Sequence, residues 1–253
     1  ILTFFPWANV RQGSNGAGMA TEIGYSVPKG SLDFWKARFE KENVKHDSIS
    51  ERFGEKQLTF QDPDGLRLNL IESKQEDTRT GFETDEVKKD VALKGFHTVT
   101  LTLRSIKATA AILTEVFGYK QVEEEGNLHR YQTEAVENAA IVDLLEMPQA
   151  HNGLNAAGTN HHVAFRVKDE KTLMAFREKI EARGLQITGK INRDYFFSLY
   201  FREPGGVLFE IATDNPGFAT DETVENLGSS LQLPDQYKSM REQIERNLPE
   251  IKQ

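Results

Sequence analysis

One pattern occurs three times along this chain: a strand, a helix and then about three further strands. The three copies cover residues 19–73, 94–148 and 159–214. The first and third copies also agree in spacing, because 31 positions separate Phe34 from Gly65 and 30 positions separate Phe176 from Gly206. Each of these glycines closes a turn, Asp-Pro-Asp-Gly in the first copy and Glu-Pro-Gly-Gly in the third. An internal repeat of this length predicts a modular architecture.

Each copy predicts a βαβββ module, and together the modules predict an α+β fold of curved mixed-sheet cups. A single unit of this kind leaves a sheet face and a sheet edge exposed, so we expect the units to pair. Three is an odd number, and the apolar start of the chain, residues 1–5, has the pattern of a strand. We therefore expect a further module upstream, which makes the copies modules 2, 3 and 4. The remaining segments are predicted as the end of the truncated first module (1–18), a polar linker (74–93) and a tail (215–253) with a helix over 235–247.

Composition excludes several classes of protein. The chain has 253 residues, of which 28% are charged, and a net charge of −8, so it is globular and lacks a footprint for nucleic-acid phosphates. The absence of cysteine excludes disulfides, thiolate metal sites and a cysteine nucleophile, and it fits a cytoplasmic protein. No apolar run approaches the roughly 18 residues that span a bilayer. We expect neither a nucleic-acid nor a membrane partner, and the sequence leaves a homodimer open.

Two ionisable residues stand where burial would be costly. His162 lies near the start of a strand-like run, and Glu210 lies within the otherwise apolar run Val-Leu-Phe-Glu-Ile. Alternation places His162 and Ala164 on one strand face and leaves His161 on the apolar face as a structural residue. A shared divalent metal would explain both groups, since two histidines and one carboxylate are the usual ligands of non-haem Fe(II). The alternatives are a hydrogen-bonded core histidine at 162 and a water-facing carboxylate at 210.

Four segments carry a resemblance to a known superfamily. They are residues 4–7 (Phe-Phe-Pro-Trp), 161–165, 200–203 and 208–218. With the repeated βαβββ unit, these segments resemble the vicinal oxygen chelate superfamily, which includes glyoxalase I, bleomycin-resistance proteins and extradiol dioxygenases. Within that superfamily the chain is most similar to ring-cleaving dioxygenases of the hydroquinone type, and the resemblance extends over essentially the whole sequence.

The resemblance implies a mononuclear metalloenzyme that opens a hydroquinone- or catechol-like aromatic ring with O2. Fe(II) is the implied ion, with Mn, Zn or Ni as alternatives, and His162 and Glu210 are the implied ligands within this sequence. A histidine in the upstream module would be the third ligand. Tyr200 matches a family tyrosine that hydrogen-bonds the substrate oxygen or acts as an acid–base group. Where extradiol enzymes carry an acid–base histidine, this chain has Asp194 and Tyr195, which departs from ordinary catechol chemistry.

Two other functions stay open at this point. One is a glyoxalase-like isomerase or thiol transferase that holds Zn, Ni or Mn in the same cup. The other is a non-catalytic protein that sequesters an aromatic compound, as bleomycin-resistance proteins do with their ligand. Oxygen consumption on addition of a hydroquinone or a catechol would separate a dioxygenase from both.

The second and third modules are expected to form a degenerate cup. Asn69 matches Glu210 in the alignment of the repeats and is a poorer metal ligand than a carboxylate. In module 3, strict alternation places Thr98 and Thr100 inside the cup and His97 on the packing face. His97 is therefore a less favoured third ligand than the expected upstream histidine.

Overall fold

The computed structural model describes residues 1–249 and shows the predicted order of elements in each of the three copies. The strands are β1 (Met19–Val27), β2 (Ser50–Arg52), β3 (Glu55–Gln61), β4 (Arg67–Glu72), β5 (Gly95–Leu103), β6 (Lys120–Glu125), β7 (Leu128–Gln132), β8 (Ile141–Glu146), β9 (Val163–Val167), β10 (Ile191–Asn192), β11 (Phe197–Arg202) and β12 (Leu208–Thr213). The helices are α1 (Leu32–Lys41), α2 (Lys107–Glu115), α3 (Glu170–Glu181) and α4 (Arg241–Asn247), with short 3-10 helices at Phe218–Thr220, Val224–Asn226 and Asp235–Met240.

Modules 2 and 3 join into one curled sheet of eight strands, in the order β2-β3-β4-β1-β5-β8-β7-β6. The first strands of the two modules, β1 and β5, pair antiparallel at its centre. The sheet curls so that strands near its two ends approach each other, and Arg130 on β7 contacts Glu55 on β3. Module 4 forms a separate sheet of four strands, in the order β10-β11-β12-β9. The predicted α+β fold with curved mixed sheets is confirmed.

The turn before the last strand is the same in modules 2 and 4, as the sequence repeat predicted. In module 2, Asp62 Oδ1 accepts the backbone N–H of Leu66 at 2.8 Å, and in module 4 Glu203 Oε1 accepts the N–H of Val207 at 2.8 Å. Gly65 and Gly206 adopt φ angles of 91° and 101°, a region that residues with a Cβ rarely enter. These glycines are therefore required by the turn and not only tolerated by it.

A single hydrophobic core joins module 3 to module 4. Phe117, which follows α2, stacks on Phe165 of β9 at 4.3 Å and on Phe176 of α3 at 5.3 Å between ring centroids. Thr109 of α2 donates a buried hydrogen bond of 2.7 Å to Glu203 in the module 4 turn. The packed face of the four-stranded sheet is therefore turned towards module 3, and the other face is left for polar side chains.

Three segments outside the modules differ from simple expectation. Residues 1–5 form no strand, although their apolar pattern predicted one. Residues 74–93, predicted as a linker, pack on module 2, where Trp35 Nε1 donates to Val91 O at 2.8 Å and Ala92 is fully buried. The predicted terminal helix over 235–247 is a 3-10 turn followed by α4. The end of the predicted tail, residues 250–253, lies outside the described residues.

Candidate metal centre

His162 and Glu210 meet on the polar face of the four-stranded sheet. The parallel pairing of β9 and β12 sets Ala164 opposite Glu210, so His162, two residues earlier, lies on the same face. The imidazole Nε2 is 2.7 Å from Glu210 Oε2. The Glu210 side chain is 4% exposed and that of His162 is 21% exposed. The predicted convergence of these two groups is confirmed, and their role as metal ligands stays a prediction.

Tyr200 completes a cluster of three side chains. It lies directly opposite Glu210 in the antiparallel pair of β11 and β12, and its hydroxyl donates to Glu210 Oε1 at 2.7 Å. Its ring stands edge-on to His162, with 5.6 Å between centroids. Burial, and secondly the hydrogen bond to Glu210, raise the pKa of Tyr200 above its ordinary value. The phenol therefore holds its proton throughout the neutral pH range.

His161 supports His162 and does not reach the carboxylate. The Nδ1 atoms of the two imidazoles are 2.9 Å apart, so one of them donates to the other. Burial, and then the positive charge of His162 when protonated, lower the pKa of His161. With its Nδ1 engaged by His161, the ring of His162 has its Nε2 directed at Glu210. His161 is exposed and borders the cleft, so it does not pack on the apolar face that was predicted for it.

A cleft of about 590 Å³ lies beside these residues. It is bordered by His161 and His162 and by an aromatic segment near the start of the chain, in which Phe5 stacks on Trp7 at 5.1 Å. Phe5 also meets the His161 ring edge-on at 5.5 Å. The Phe-Phe-Pro-Trp motif identified this aromatic segment in the sequence. Periodicity could not show that the segment folds against module 4.

Arg193 is a further neighbour that the periodic pattern did not single out. Its guanidinium carbon lies 5.4 Å from the centre of the Tyr200 ring, and Nη2 is 3.4 Å from the Tyr200 hydroxyl. It is held by the turn that joins β10 to β11, where Asp194 adopts a positive φ of 65°. A cation therefore stands next to the phenol at the edge of the site. Asp194 and Tyr195 do not join the cluster, and the Tyr195 hydroxyl donates to Asp221 at 2.8 Å.

His97 lies elsewhere, and the face predicted for it was wrong. The register of β1 and β5 shifts between Gly24, which pairs with Thr98, and Tyr25, which pairs with Phe96. His97 is the extra residue of a β-bulge, which breaks strict alternation. Its Nε2 is 3.2 Å from both carboxylate oxygens of Glu55, inside the cup of modules 2 and 3. His97 is therefore engaged with Glu55 and does not join His162 and Glu210.

The donor atoms of the cluster suit a divalent metal. An imidazole nitrogen and a carboxylate oxygen converge within 2.7 Å, and the carboxylate is almost fully buried in an apolar strand, where a charge needs a cation or a proton donor. Within residues 1–249, no group of three or more histidine, aspartate or glutamate side chains is arranged to hold a metal. His162 and Glu210 therefore fit part of a metal site, and the upstream third ligand stays a prediction.

Comparison with known proteins gives consistent matches. Residues 95–211 match the profile of the glyoxalase/bleomycin resistance protein/dioxygenase superfamily. The chain is 43% identical to MhqO of Bacillus subtilis (strain 168), whose name assigns it provisionally to the ring-cleaving dioxygenases, over 98% of this chain and 78% of that protein. It is 32% identical to the chlorohydroquinone/hydroquinone 1,2-dioxygenase of Sphingobium indicum, over 98% of this chain and 78% of the relative.

A solved structure agrees over the same length. A crystal structure from Bacillus subtilis, described provisionally as that of a dioxygenase, superposes with a TM-score of 0.90 at 42% identity. The match covers 98% of this chain and 79% of the other. The arrangement of the three modules seen here is therefore shared with a relative of known structure.

Proposed function

Because the chain belongs to the glyoxalase/bleomycin resistance protein/dioxygenase superfamily, we propose that it is a ring-cleaving dioxygenase that acts on a hydroquinone- or catechol-like aromatic with O2. The names of the relatives support this reaction, including a hydroquinone 1,2-dioxygenase that matches nearly the whole chain. The observation that carries the proposal is the convergence of His162 and Glu210, with Tyr200 bonded to the same carboxylate. The cluster lies beside a cleft with an aromatic wall, which suits an aromatic substrate.

In this proposal His162 and Glu210 hold a divalent ion, for which Fe(II) is the first candidate and Mn, Zn or Ni are alternatives. The bound ion supplies Lewis acidity and neighbouring coordination positions for oxygen ligands. The proposal is more specific in assigning Fe(II) as the ion and an extradiol type of ring cleavage.

A cytoplasmic location and a homodimer stay predictions. Within the described part of the chain, no helix is both long and apolar enough to cross a membrane.

The residues of this chain have separate tasks in that reaction. Tyr200 holds a proton on its hydroxyl oxygen, next to Glu210, and can donate it or a hydrogen bond to an oxygen of the substrate. His161 fixes the orientation of His162 through the contact between their Nδ1 atoms. Phe5 and Trp7 border the cleft, so they can contact the substrate ring and exclude water from it.

The direct test is oxygen uptake by the purified protein loaded anaerobically with Fe(II). We expect O2 consumption that depends on added hydroquinone or catechol, together with a ring-opened product containing both oxygen atoms. A glyoxalase-like isomerase or thiol transferase would convert a thiol adduct without consuming O2. A sequestering protein would bind the aromatic compound in an equilibrium assay and return it unchanged. Either of those results, with the metal bound, would refute the dioxygenase assignment.

A further inference from the structure

The chain after β12 folds back onto the turn that carries Arg193. This turn joins β10 to β11 and covers residues 193–196, and we call residues 217–221 the tail segment. The two meet through a backbone hydrogen bond, in which Gly217 N donates to Tyr195 O at 2.9 Å. Gly217 adopts a φ of 95°, a region that residues with a Cβ rarely enter. A glycine backbone therefore fixes the start of the tail segment next to the turn.

Side chains make further contacts between the tail segment and the turn. The Tyr195 hydroxyl donates to Asp221 Oδ2 at 2.8 Å, and the Tyr195 ring stacks on Phe218 with 5.4 Å between centroids. The Phe196 ring lies 6.4 Å from that of Phe218. The hydrogen bond to Asp221, and secondly burial, raise the pKa of Tyr195, so its hydroxyl remains a donor at neutral pH. Contacts outside the sheet therefore hold the middle of the turn.

The same turn places Arg193 beside the candidate metal centre. Arg193 N donates to Phe196 O at 2.9 Å, and Tyr195 N donates to Arg193 O at 2.8 Å. The backbone of Arg193 is therefore tied to the residues that the tail segment contacts. The guanidinium itself is held by two contacts of 3.4 Å, to Ser198 Oγ and to the Tyr200 hydroxyl, which are longer than typical hydrogen bonds. Its position therefore depends on the backbone of the turn.

We propose that the tail segment positions Arg193, with Tyr195, Phe218 and Asp221 as its positioning residues. The tail segment holds the turn, and the turn holds the guanidinium beside the Tyr200 hydroxyl. A cation fixed there favours negative charge on a substrate oxygen that the hydroxyl contacts. This last step rests on the proposed dioxygenase function, whereas the hold of the tail segment on Arg193 does not. None of these contacts includes a candidate metal ligand, so loosening them should affect the substrate and not the metal.

The first measurement follows the turn in the metal-free protein. Y195F removes the hydroxyl and keeps the ring that stacks on Phe218, whereas D221A removes the acceptor. In hydrogen exchange followed by NMR, we expect the amides of Arg193 and Gly217 to exchange at least about 5-fold faster in both variants, which corresponds to one typical hydrogen bond. The NMR signal of the Arg193 Nε–H group, identified by its absence in R193M, should move towards the position of a solvent-exposed arginine.

The second measurement follows the reaction. Y195F and D221A should each lower kcat/KM for ring cleavage about 10-fold and leave the metal affinity within about 3-fold of the parent value, because a small misplacement of a group at the substrate is costly. The double variant should lose no more than either single variant, since both remove the same hydrogen bond. In an R193M background the same substitutions should change kcat/KM by less than about 2-fold, which a merely structural role would not produce.

Controls come from the same tail. Y237F alters another half-exposed tyrosine, and D235A breaks the ion pair of Asp235 with Lys238 at 2.6 Å, so both variants should behave like the parent protein. An unchanged Arg193 signal in Y195F and D221A, or an equal loss of kcat/KM with and without Arg193, would overturn the proposal. If the parent protein cleaves no ring, the dioxygenase assignment fails, and the Arg193 signal still decides whether the tail segment holds the turn.

Discussion

Glu210 is the residue on which the proposed chemistry most depends. It is the buried carboxylate that contacts both His162 and Tyr200. Substitution by glutamine keeps the shape and removes the charge, so we expect E210Q to lose at least about 100-fold in metal affinity, since weaker outer contacts of metal sites already cost 10–100-fold. Equilibrium dialysis against Fe(II) or Mn²⁺ with elemental analysis measures this. E178Q, on the exposed face of α3, should bind metal like the parent protein, and equal binding by E210Q would remove Glu210 from the site.

Tyr200 is expected to act on the substrate and not to hold the metal. Y200F keeps the ring that stands against His162 and removes only the hydroxyl that contacts Glu210. We therefore expect the metal content to stay within about 3-fold of the parent value, while the rate of ring cleavage falls about 100-fold or more. Metal analysis and oxygen uptake on the same preparation give both numbers. If the metal content and the rate of ring cleavage fell together, Tyr200 would instead act by positioning Glu210.

At the scale of elements, the turns before β4 and β12 offer a paired comparison. Gly65 and Gly206 have similar positive φ angles, so alanine is strained at either position, by about 1–3 kcal/mol. A Cβ on Gly206 would also lie 3.2 Å from the backbone of Gly18, whereas the nearest atom to a Cβ on Gly65 is the Gln12 side chain at 3.8 Å. We expect G206A to reduce the free energy of unfolding more than G65A does. Urea unfolding of the two variants measures the difference, and equal losses would show that the close approach to Gly18 costs nothing.

The Glu55 carboxylate on β3, which contacts Arg130 on β7, predicts a pH dependence of stability. Burial alone would raise the pKa of Glu55, but its bonds and charge interactions with His97 and Arg130 outweigh burial and lower the pKa to about 2. This folded-state pKa lies below the unfolded value of about 4.3. The Glu55 carboxylate therefore stabilises the fold fully above about pH 4.3 and loses that contribution as the pH falls towards 2.

E55Q tests this contribution directly. At pH 7 we expect it to lower the free energy of unfolding by about 3 kcal/mol, because Arg130 keeps only one carboxylate. Between pH 4 and pH 2 the variant should lose less stability than the parent, since it has no proton to take up at position 55. Urea unfolding at several pH values measures both effects. E181Q, which breaks an exposed pair with Arg177 at 2.9 Å, should keep the parental pH slope, and a parental slope in E55Q would contradict the assignment.

Elements and local faces were predictable from the sequence, whereas contacts set by pairing between modules were not. The repeated turn and the alternation around β9 and β12, together with the resemblance to the superfamily, predicted that His162 and Glu210 meet. His97 was placed on the wrong face because one extra residue opposite β1 forms a bulge, and strict alternation assumes that there is none. The aromatic residues near the start of the chain were visible as a motif. Their position against His161 is a long-range contact that no periodicity encodes.

At the scale of the whole molecule, the three modules are not equivalent in how they associate. Modules 2 and 3 share a sheet through β1 and β5, while modules 3 and 4 share a hydrophobic core. The repeat spacing predicted three units that should pair. It could not predict which units join through hydrogen-bonded strand edges and which join through buried side chains. That choice depends on residues such as Phe117, which is half-buried and packs against Phe165 and Phe176 of module 4.

This arrangement predicts that module 4 and module 3 open together. F117A removes the half-buried ring between the two modules and should cost up to about 3 kcal/mol, the lower end of the range for a core phenylalanine. Hydrogen exchange should then lose protection both in β5 and β8 and in β9 and β12, whereas the separate core around Trp35 in module 2 stays protected. F34A, which loosens the contact with Trp35, should give the opposite pattern. Because β9 and β12 orient His162 and Glu210, F117A should also weaken metal binding, and loss of protection confined to module 3 would show that module 4 holds its site without that support.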